Sequence, residues 1–254
     1  MVQALQNRIE RDARFASEVS HELRSPLMTL AASMEVLENS KETMPERAQT
    51  ALDLLQVDIE RFQQLVEDLL EISRLDAGAI HLETEEVLAA DVVRQSVLAM
   101  VGDKIPVRVD DEAAALLVEV DKRRFAQVLA NLIENADKYA GGADGGHRRS
   151  PSTRPAVHVA VEDQGHGVPR EERHVIFDRF SRGSAGGRRG SEGGTGLGLS
   201  LVAEHANLLN GRAWVEDRRD GKAGARFVVE LPVIGTVDPD ERIAPTRRQE
   251  SLSP

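Results

Sequence analysis

The stretch Phe15-Ala16-Ser17-Glu18-Val19-Ser20-His21-Glu22-Leu23-Arg24-Ser25-Pro26-Leu27 sets a histidine beside a carboxylate on a segment with helical periodicity. Phe15, Val19, Leu23, Leu27, Leu30, Met34 and Leu37 recur every three or four residues, so they share one face. His21 and Glu22 fall off that stripe, toward water. An imidazole exposed near neutral pH is a potential nucleophile, and an adjacent carboxylate can orient it or take its ring proton. Pro26 lacks the N–H that would bond the Glu22 carbonyl, so a bend is expected just past the histidine. Taken alone, the pair also fits a surface histidine on a solvated helix. The segments downstream decide between the two.

The pattern predicts a first helix from near the N-terminus to about Asn39, broken by Ser40-Lys-Glu-Thr-Met-Pro-Glu46. Thr43 and Glu46 have the spacing of a capping box opening a second helix. That helix carries Leu52, Leu55, Ile59, Phe62, Val66, Leu69 and Ile72 at alternating threes and fours, and Gly78 is its expected stop. Two helices with one apolar seam each cannot bury both seams as a lone hairpin. Pairing with a second copy into a four-helix bundle solves the problem. Packing of the stripe on the chain's own second domain is the alternative.

Beyond Gly78 the texture changes. His81–Glu83 reads as a short strand and Val87–Met100 as a helix. Ile105–Val109 and Leu116–Val120 read as the strands of a hairpin, and Asp121 as the cap of the next helix. Val157–Val161, Ala213–Glu216 and Arg226–Leu231 read as strands, and Ser200–Leu209 as a helix. The mixture predicts an α/β sandwich with helices on one sheet face. Gly141–Pro155 shows no strand signal and reads as a flexible loop, so either a strand there is short and atypical or the sheet loses one edge; Gly235–Pro254 reads as a disordered tail.

A chain of 254 residues can bury an ordinary core in one large or two modest domains. It has no cysteine, which excludes disulfides and thiolate metal sites and fits a reducing cytoplasm. No apolar run approaches the roughly 20 residues that span a bilayer, and no signal peptide opens the chain. A net charge of −11 argues against nonspecific nucleic-acid binding.

Three polar and glycine-rich segments carry the chemistry. On the helix after Asp121, Asn131 and Asn135 stand four apart on one face, with amide oxygens suited to a hard cation such as Mg²⁺, and Lys138 lies one turn on. Asp163 follows a strand and precedes Gly165 and Gly167; a carboxylate there can accept from an exocyclic amine while the glycines let backbone approach a flat ring. A plain tight turn is the alternative. Ser181–Gly198 holds eight glycines and leads through Thr195-Gly196-Leu197-Gly198-Leu199 into the helix at Ser200, offering backbone N–H groups to phosphate. The P-loop and Rossmann patterns are absent.

In order and spacing, the segments around His21, Asn135 (Asn131–Tyr139), Asp163 (Val161–Pro169), Phe177/Phe180 (Ile176–Phe180) and Gly196 (Gly193–Ser200) closely resemble the H, N, G1, F and G2 boxes of the sensor histidine kinases of two-component systems. The resemblance runs from about residue 10 to about residue 234. It implies an α+β protein of two domains. Residues 1–14 would end a signalling coiled coil, and 15–78 would form the dimerisation and phosphotransfer hairpin. Residues 79–234 would form an ATP-binding domain of the Bergerat type, and 235–254 a tail.

The resemblance further implies that ATP and Mg²⁺ are the cofactors, with Asn135 the principal metal ligand. Asn131, Lys138, Tyr139, Asp163, Gly165, Gly167, Phe180, Thr195, Gly196, Leu197, Gly198 and Leu199 would line the nucleotide site. His21 would be phosphorylated with Glu22 as base, and Ser25 would align water for dephosphorylation of a partner. The partners implied are a second copy and the receiver domain of a response regulator. The chain is expected to be the cytoplasmic piece of an inner-membrane sensor, reaching the membrane only through a portion it lacks; a naturally soluble kinase is the alternative. A gyrase-like or mismatch-repair-like ATPase and a scaffold with a decayed site are the rival readings; the His21 box and the intact polar set stand against them.

Overall fold

The computed structural model describes residues 22–23, 25–78, 80–140, 143–149, 155–181 and 194–237, with the side chains of 139–140 and 143–149 left out of the description. The expected coiled-coil end at 1–14, His21, the glycine-rich stretch 182–193 and the tail from 238 lie outside these residues. The chain divides into two units, Met1–Leu82 with Val168–Glu204, and Glu83–Gly167 with His205–Pro254.

In the first unit, α1 is helical over residues 25–38 and α2 spans Glu46–Asp76. A 3₁₀ turn, Lys41–Thr43, and Pro45 separate them. The expected Thr43–Glu46 capping box does not form. The cap position of α2 is Pro45, without a side-chain bond, and the Thr43 hydroxyl donates instead to the Ser40 carbonyl at 2.7 Å. The 3₁₀ turn uses Thr43 one step before it could reach the helix. Gly78 sits just past the last turn at φ +60, a conformation that suits a residue without Cβ.

The apolar stripe of α2 resolves into two rows, each stepping by seven residues. Leu52, Ile59 and Val66 turn inward, and Val66 packs with Leu70 against Leu27 and Leu23. Leu55, Phe62 and Leu69 remain 53, 50 and 45% exposed. A strict seven-residue step is the signature of a seam that meets another helix.

The second unit holds β1 (Glu85–Leu88), α3 (Ala89–Val101), β2 (Val107–Val109), β3 (Leu116–Val120), α4 (Lys122–Ala140), β4 (Ala143–Arg149), β5 (Ala156–Asp163), the end of α5 (Gly198–Leu208), β6 (Arg212–Asp217) and β7 (Ala225–Thr236). Among the described residues the strands form one sheet in the order β1-β3-β7-β5-β4-β2, with β6 paired to β7. One edge of β7 runs along β5; the other meets β6 through 225–230 and β3 through 233–236. Val157, Val159, Val161, Phe227, Val229 and Leu231 are buried, as are Phe125, Leu129 and Leu132 of α4, which packs on β5. The alternate residues include the buried Ala160 and Val228 and carry polar pairs on either side of them, where Glu230 accepts from Arg212 at 2.9 Å and lies 2.8 Å from His158, and Arg226 bonds Glu162.

Four expectations need correcting. The first strand is Glu85–Leu88, not His81–Glu83, because pairing with β3 fixes Val87 opposite Val118. Ile105–Val109 and Leu116–Val120 do not pair: the turn Asp111–Ala113 carries the chain from β2, at one edge, to β3 near the other. The segment expected to be a loop contains β4, antiparallel to β5 and parallel to β2. Its glycines hide it from pattern reading, since the ladder is supplied by neighbouring backbones. The tail reading also began too early, because β7 continues through Gly235 and Thr236. Among the described residues no helix is long and apolar enough to cross a membrane.

Asp121 behaves as expected. Its Oδ1 accepts from the Arg124 N–H and its Oδ2 from the Glu83 N–H, both at 3.1 Å. Asp121→Ala is expected to lower unfolding stability by about 1–2 kcal/mol, as loss of an N-cap does. Chemical denaturation followed by circular dichroism would measure it, and an unchanged midpoint would deny the cap its weight.

Candidate functional site

Asp163 ends β5 and is only 4% exposed. Its Oδ1 accepts two backbone N–H groups at 2.9 Å, from Gly165 two residues on and from Ala225 at the start of β7. A carboxylate held this way stays aimed, with Oδ2 outside that pair of bonds. Gly165 thus supplies an N–H to the aspartate. Gly167, at φ +77, lies where a Cβ would come within 3.0 Å of the Gly224 carbonyl. Gly167 is required first by the protein's own turn, the plain tight turn that the sequence offers beside the flat-ligand reading, whereas Gly165 contributes its backbone N–H.

The same unit places Asn131, Asn135 and Lys138 at successive turns of α4. The Asn131 amide nitrogen is buried and has no partner within the protein, a vacancy in bonding that a ligand acceptor would satisfy. Lys138 bonds Glu134 one turn back. The Tyr139 side chain lies outside the described residues. Among the described residues no group of three or more His, Cys, Asp or Glu could hold a metal; the side-chain amide oxygens of Asn131 and Asn135 are of the hard-donor type that suits Mg²⁺.

In the first unit, Gly196 adopts φ +76 with its Cα face against Phe180 and Ser181 backbone, where a Cβ would meet atoms at 3.1–3.2 Å. Phe180 itself has φ +61 and is 61% exposed. The Phe180 backbone, and not its exposed ring, supports Gly196. Leu197 is fully buried with Ile72 and Leu201, so its side chain belongs to the core; its N–H is taken by the Thr195 hydroxyl at 3.2 Å. Gly198 opens α5, and Leu199 is half-buried within it.

Sequence reading missed Asp68. It lies on α2, is 3% exposed, and accepts from Thr195 Oγ1 at 2.9 Å and from Gln64 at 2.7 Å. Burial of a carboxylate is costly without such bonds. A charged residue flanked by the buried Val66 and Leu70 was the available signal. Nearby, Arg179 grips Asp76 through two guanidinium arms, 2.7 Å for Nη1 to Oδ2, and reaches Glu204 at 3.2 Å. These hydrogen bonds hold the Asp76 carboxyl below the usual carboxylate range. Also missed were Arg218, Gly224 and Ala225, which surround Asp163. Two residues that follow His21 are open to solvent: Glu22 and Ser25 are exposed, and the Ser25 carbonyl accepts from Thr29 at 3.2 Å.

Two families match the chain. The His Kinase A (phospho-acceptor) domain matches residues 11–78, and the Histidine kinase-, DNA gyrase B-, and HSP90-like ATPase matches residues 120–234. Sensor histidine kinase MtrB of Mycobacterium tuberculosis is 36% identical over 232 residues, covering 87% of this chain and 39% of that protein. The signal transduction histidine-protein kinase/phosphatase MprB of a Mycobacterium species is 32% identical over 241 residues, covering 91% of this chain and 46% of that protein. Full-length ShkA in complex with AMPPNP superposes with a TM-score of 0.64 at 26% identity, covering 88% of this chain and 46% of that one. The chain thus spans less than half the length of these relatives. A phosphoacceptor hairpin followed by this ATPase fold, with its asparagine helix and buried aspartate, makes the chain a member of the sensor histidine kinases of two-component systems.

Proposed function

We propose that this chain is the kinase portion of a two-component sensor: an ATP-dependent protein histidine kinase that phosphorylates His21 and passes the phosphoryl group to the receiver aspartate of a response regulator. The observation that carries the reading is the arrangement of Asp163, a buried carboxylate aimed by two backbone N–H groups, in a fold whose preceding hairpin bears the His21 box. Residues 15–78 serve dimerisation and phosphotransfer and residues 79–234 bind nucleotide, with 1–14 delivering the signal and 235–254 a tail. In such a sensor this stretch works on the cytoplasmic side.

The chemistry follows from the residues. Asp163 accepts from the adenine amine, and Gly165 and Gly167 shape the turn beside it. Asn131, Asn135, Lys138 and Tyr139 are assigned to the phosphates, with Asn135 as the residue that would hold Mg²⁺; the metal would supply charge neutralisation on the phosphate oxygens. Phe180 and Thr195–Leu199 are further nucleotide-binding residues in this reading. A His21 ring nitrogen forms the N–P bond as the bond from phosphorus to the ADP oxygen breaks in line, and Glu22 takes the ring proton. ATP labelled at the γ-phosphate should leave acid-labile, base-stable label on the chain. His21→Gln should abolish it while ATP affinity stays within about twofold, below the ~1.4 kcal/mol of a tenfold change. Acid-labile label surviving in that variant would remove His21 from its role.

The exposed row Leu55, Phe62 and Leu69 supports assembly through a second copy, giving the four-helix bundle. Light scattering of the intact chain should report twice 27.8 kDa. Phe62→Glu, which puts a charge in the middle of the row, should bring the mass down to that of one chain; a dimer that survives unchanged would place the seam elsewhere.

Ser25 is one helical turn beyond His21, and we assign it the alignment of water during dephosphorylation of the regulator. Serine has the hydroxyl but not the methyl that restricts threonine, so the activity is expected to be modest. Ser25→Ala should slow regulator dephosphorylation and spare labelling of His21. The opposite pattern, lost labelling with dephosphorylation intact, would make Ser25 a support for the histidine.

A further inference from the structure

Asp163 is held by more than its carboxylate bonds. Its backbone carbonyl accepts from Arg218 Nη1 at 2.7 Å. The same guanidinium is gripped on its other edge by Asp220, with Nε to Oδ1 at 3.0 Å and Nη2 to Oδ2 at 2.7 Å. Asp220 is fixed in turn by the Lys222 N–H at 3.1 Å, and the Arg218 bonds keep its carboxyl well below the usual carboxylate range. The Arg218 side chain is only 8% exposed. Gly224, at φ +129, passes between these groups: a Cβ there would stand 2.1 Å from the Asp163 carbonyl oxygen and 2.8 Å from Arg218 Cδ. Thus the turn joining β6 to β7 wraps the end of β5 and leaves no room for a side chain between.

We propose that Arg218, braced by Asp220, is a positioning residue that sets base selectivity by locking the strand end from which Asp163 reads the purine amine. The proposal rests on the reading of Asp163 as the adenine contact. A guanidinium suits the task because its planar fork serves the carbonyl and the carboxylate at once; a lysine ammonium is a point donor with no such fork. Hydrogen bonds lose strength steeply as they leave line. A strand end freed to rotate would still offer the Asp163 carboxylate, but without a fixed aim. Phosphate contacts made from α4 lie outside this clamp, so loosening it should act on the base and not on the triphosphate.

The test compares binding of ATP with that of inosine triphosphate, which has a carbonyl where adenine has its amine, using the full chain. The native chain should prefer ATP by roughly 10- to 100-fold, the effect of leaving a buried polar group mismatched. Asp163→Asn should lose that preference. Arg218→Gln should reduce it about tenfold while affinity for inosine triphosphate stays within about twofold, and Arg218→Lys should restore only part of it. Asp220→Asn, at a partly exposed position, should move the preference in the same direction, and it decides the matter if Arg218→Gln does not fold by thermal melting. A native chain without preference would sink the Asp163 reading itself. A native preference that Asp163→Asn removes but Arg218→Gln and Asp220→Asn leave intact would overturn the proposal alone.

Discussion

The pairing of β5 with β7 is the constraint on which the nucleotide-binding unit depends. Seven consecutive partners, from Ala156 opposite Pro232 to Glu162 opposite Arg226, fix one register. Because side chains alternate along a strand, that register puts Val157, Val159 and Val161 on the buried side. It sends His158 and Glu162 to the other side, where Glu230 and Arg226 meet them. A slip by one residue would bring the charged set into the apolar layer, at a cost far above that of a lost hydrogen bond. The same register sets Asp163 one step past the last pair, level with the Ala225 N–H. The aim of the site is therefore a consequence of how the sheet is aligned.

The helical hairpin was legible in the sequence because heptad spacing is a local signal that survives without tertiary knowledge. Leu52 to Ile72 read as one stripe, and only the packing of Val66 and Leu70 on Leu27 shows it to be two rows. The sheet was legible in part. Val157–Val161 and Arg226–Leu231 carry enough β-branched residues to declare themselves, but β4, with Gly145 and Gly146 at its centre, does not. Its existence depends on the edge that β5 offers, a partner eight to twenty residues downstream in register. The supposed hairpin of β2 and β3 failed for the same reason, since adjacency in sequence says little about which sheet edge a strand joins.

Site residues divide along a similar line. Asp163, Asn131 and Asn135 stood out by box and spacing, and Gly167 and Gly196 as glycines of those boxes, which the structure holds at positive φ. Asp68, Arg218 and Gly224 did not, because each acts through a residue distant in the chain. Arg218 is 55 residues from the carbonyl it holds, and Asp68 is 127 from the hydroxyl it accepts. An arginine in a polar turn and an aspartate on a helix have ordinary solvated roles in a sequence, and only burial marks these two as different.

Burial also bears on what each residue proposed for phosphate binding could gain from a nucleotide. Two groups singled out for phosphate already have carboxylate partners, Thr195 with Asp68 and Lys138 with Glu134. A phosphate oxygen that takes either donor exchanges one charge-assisted bond for another, so the net gain is smaller than for a free donor. The two exchanges differ in kind. Lys138 and Glu134 are substantially exposed, and water accepts the released Glu134 at little cost. Asp68 is buried, and taking the Thr195 hydroxyl from it removes one charge-assisted bond from a carboxylate that is little open to water. The hydroxyl of Thr195 is consequently the more tightly committed of the two, and Lys138 the donor that a phosphate can recruit with the smaller opposing term.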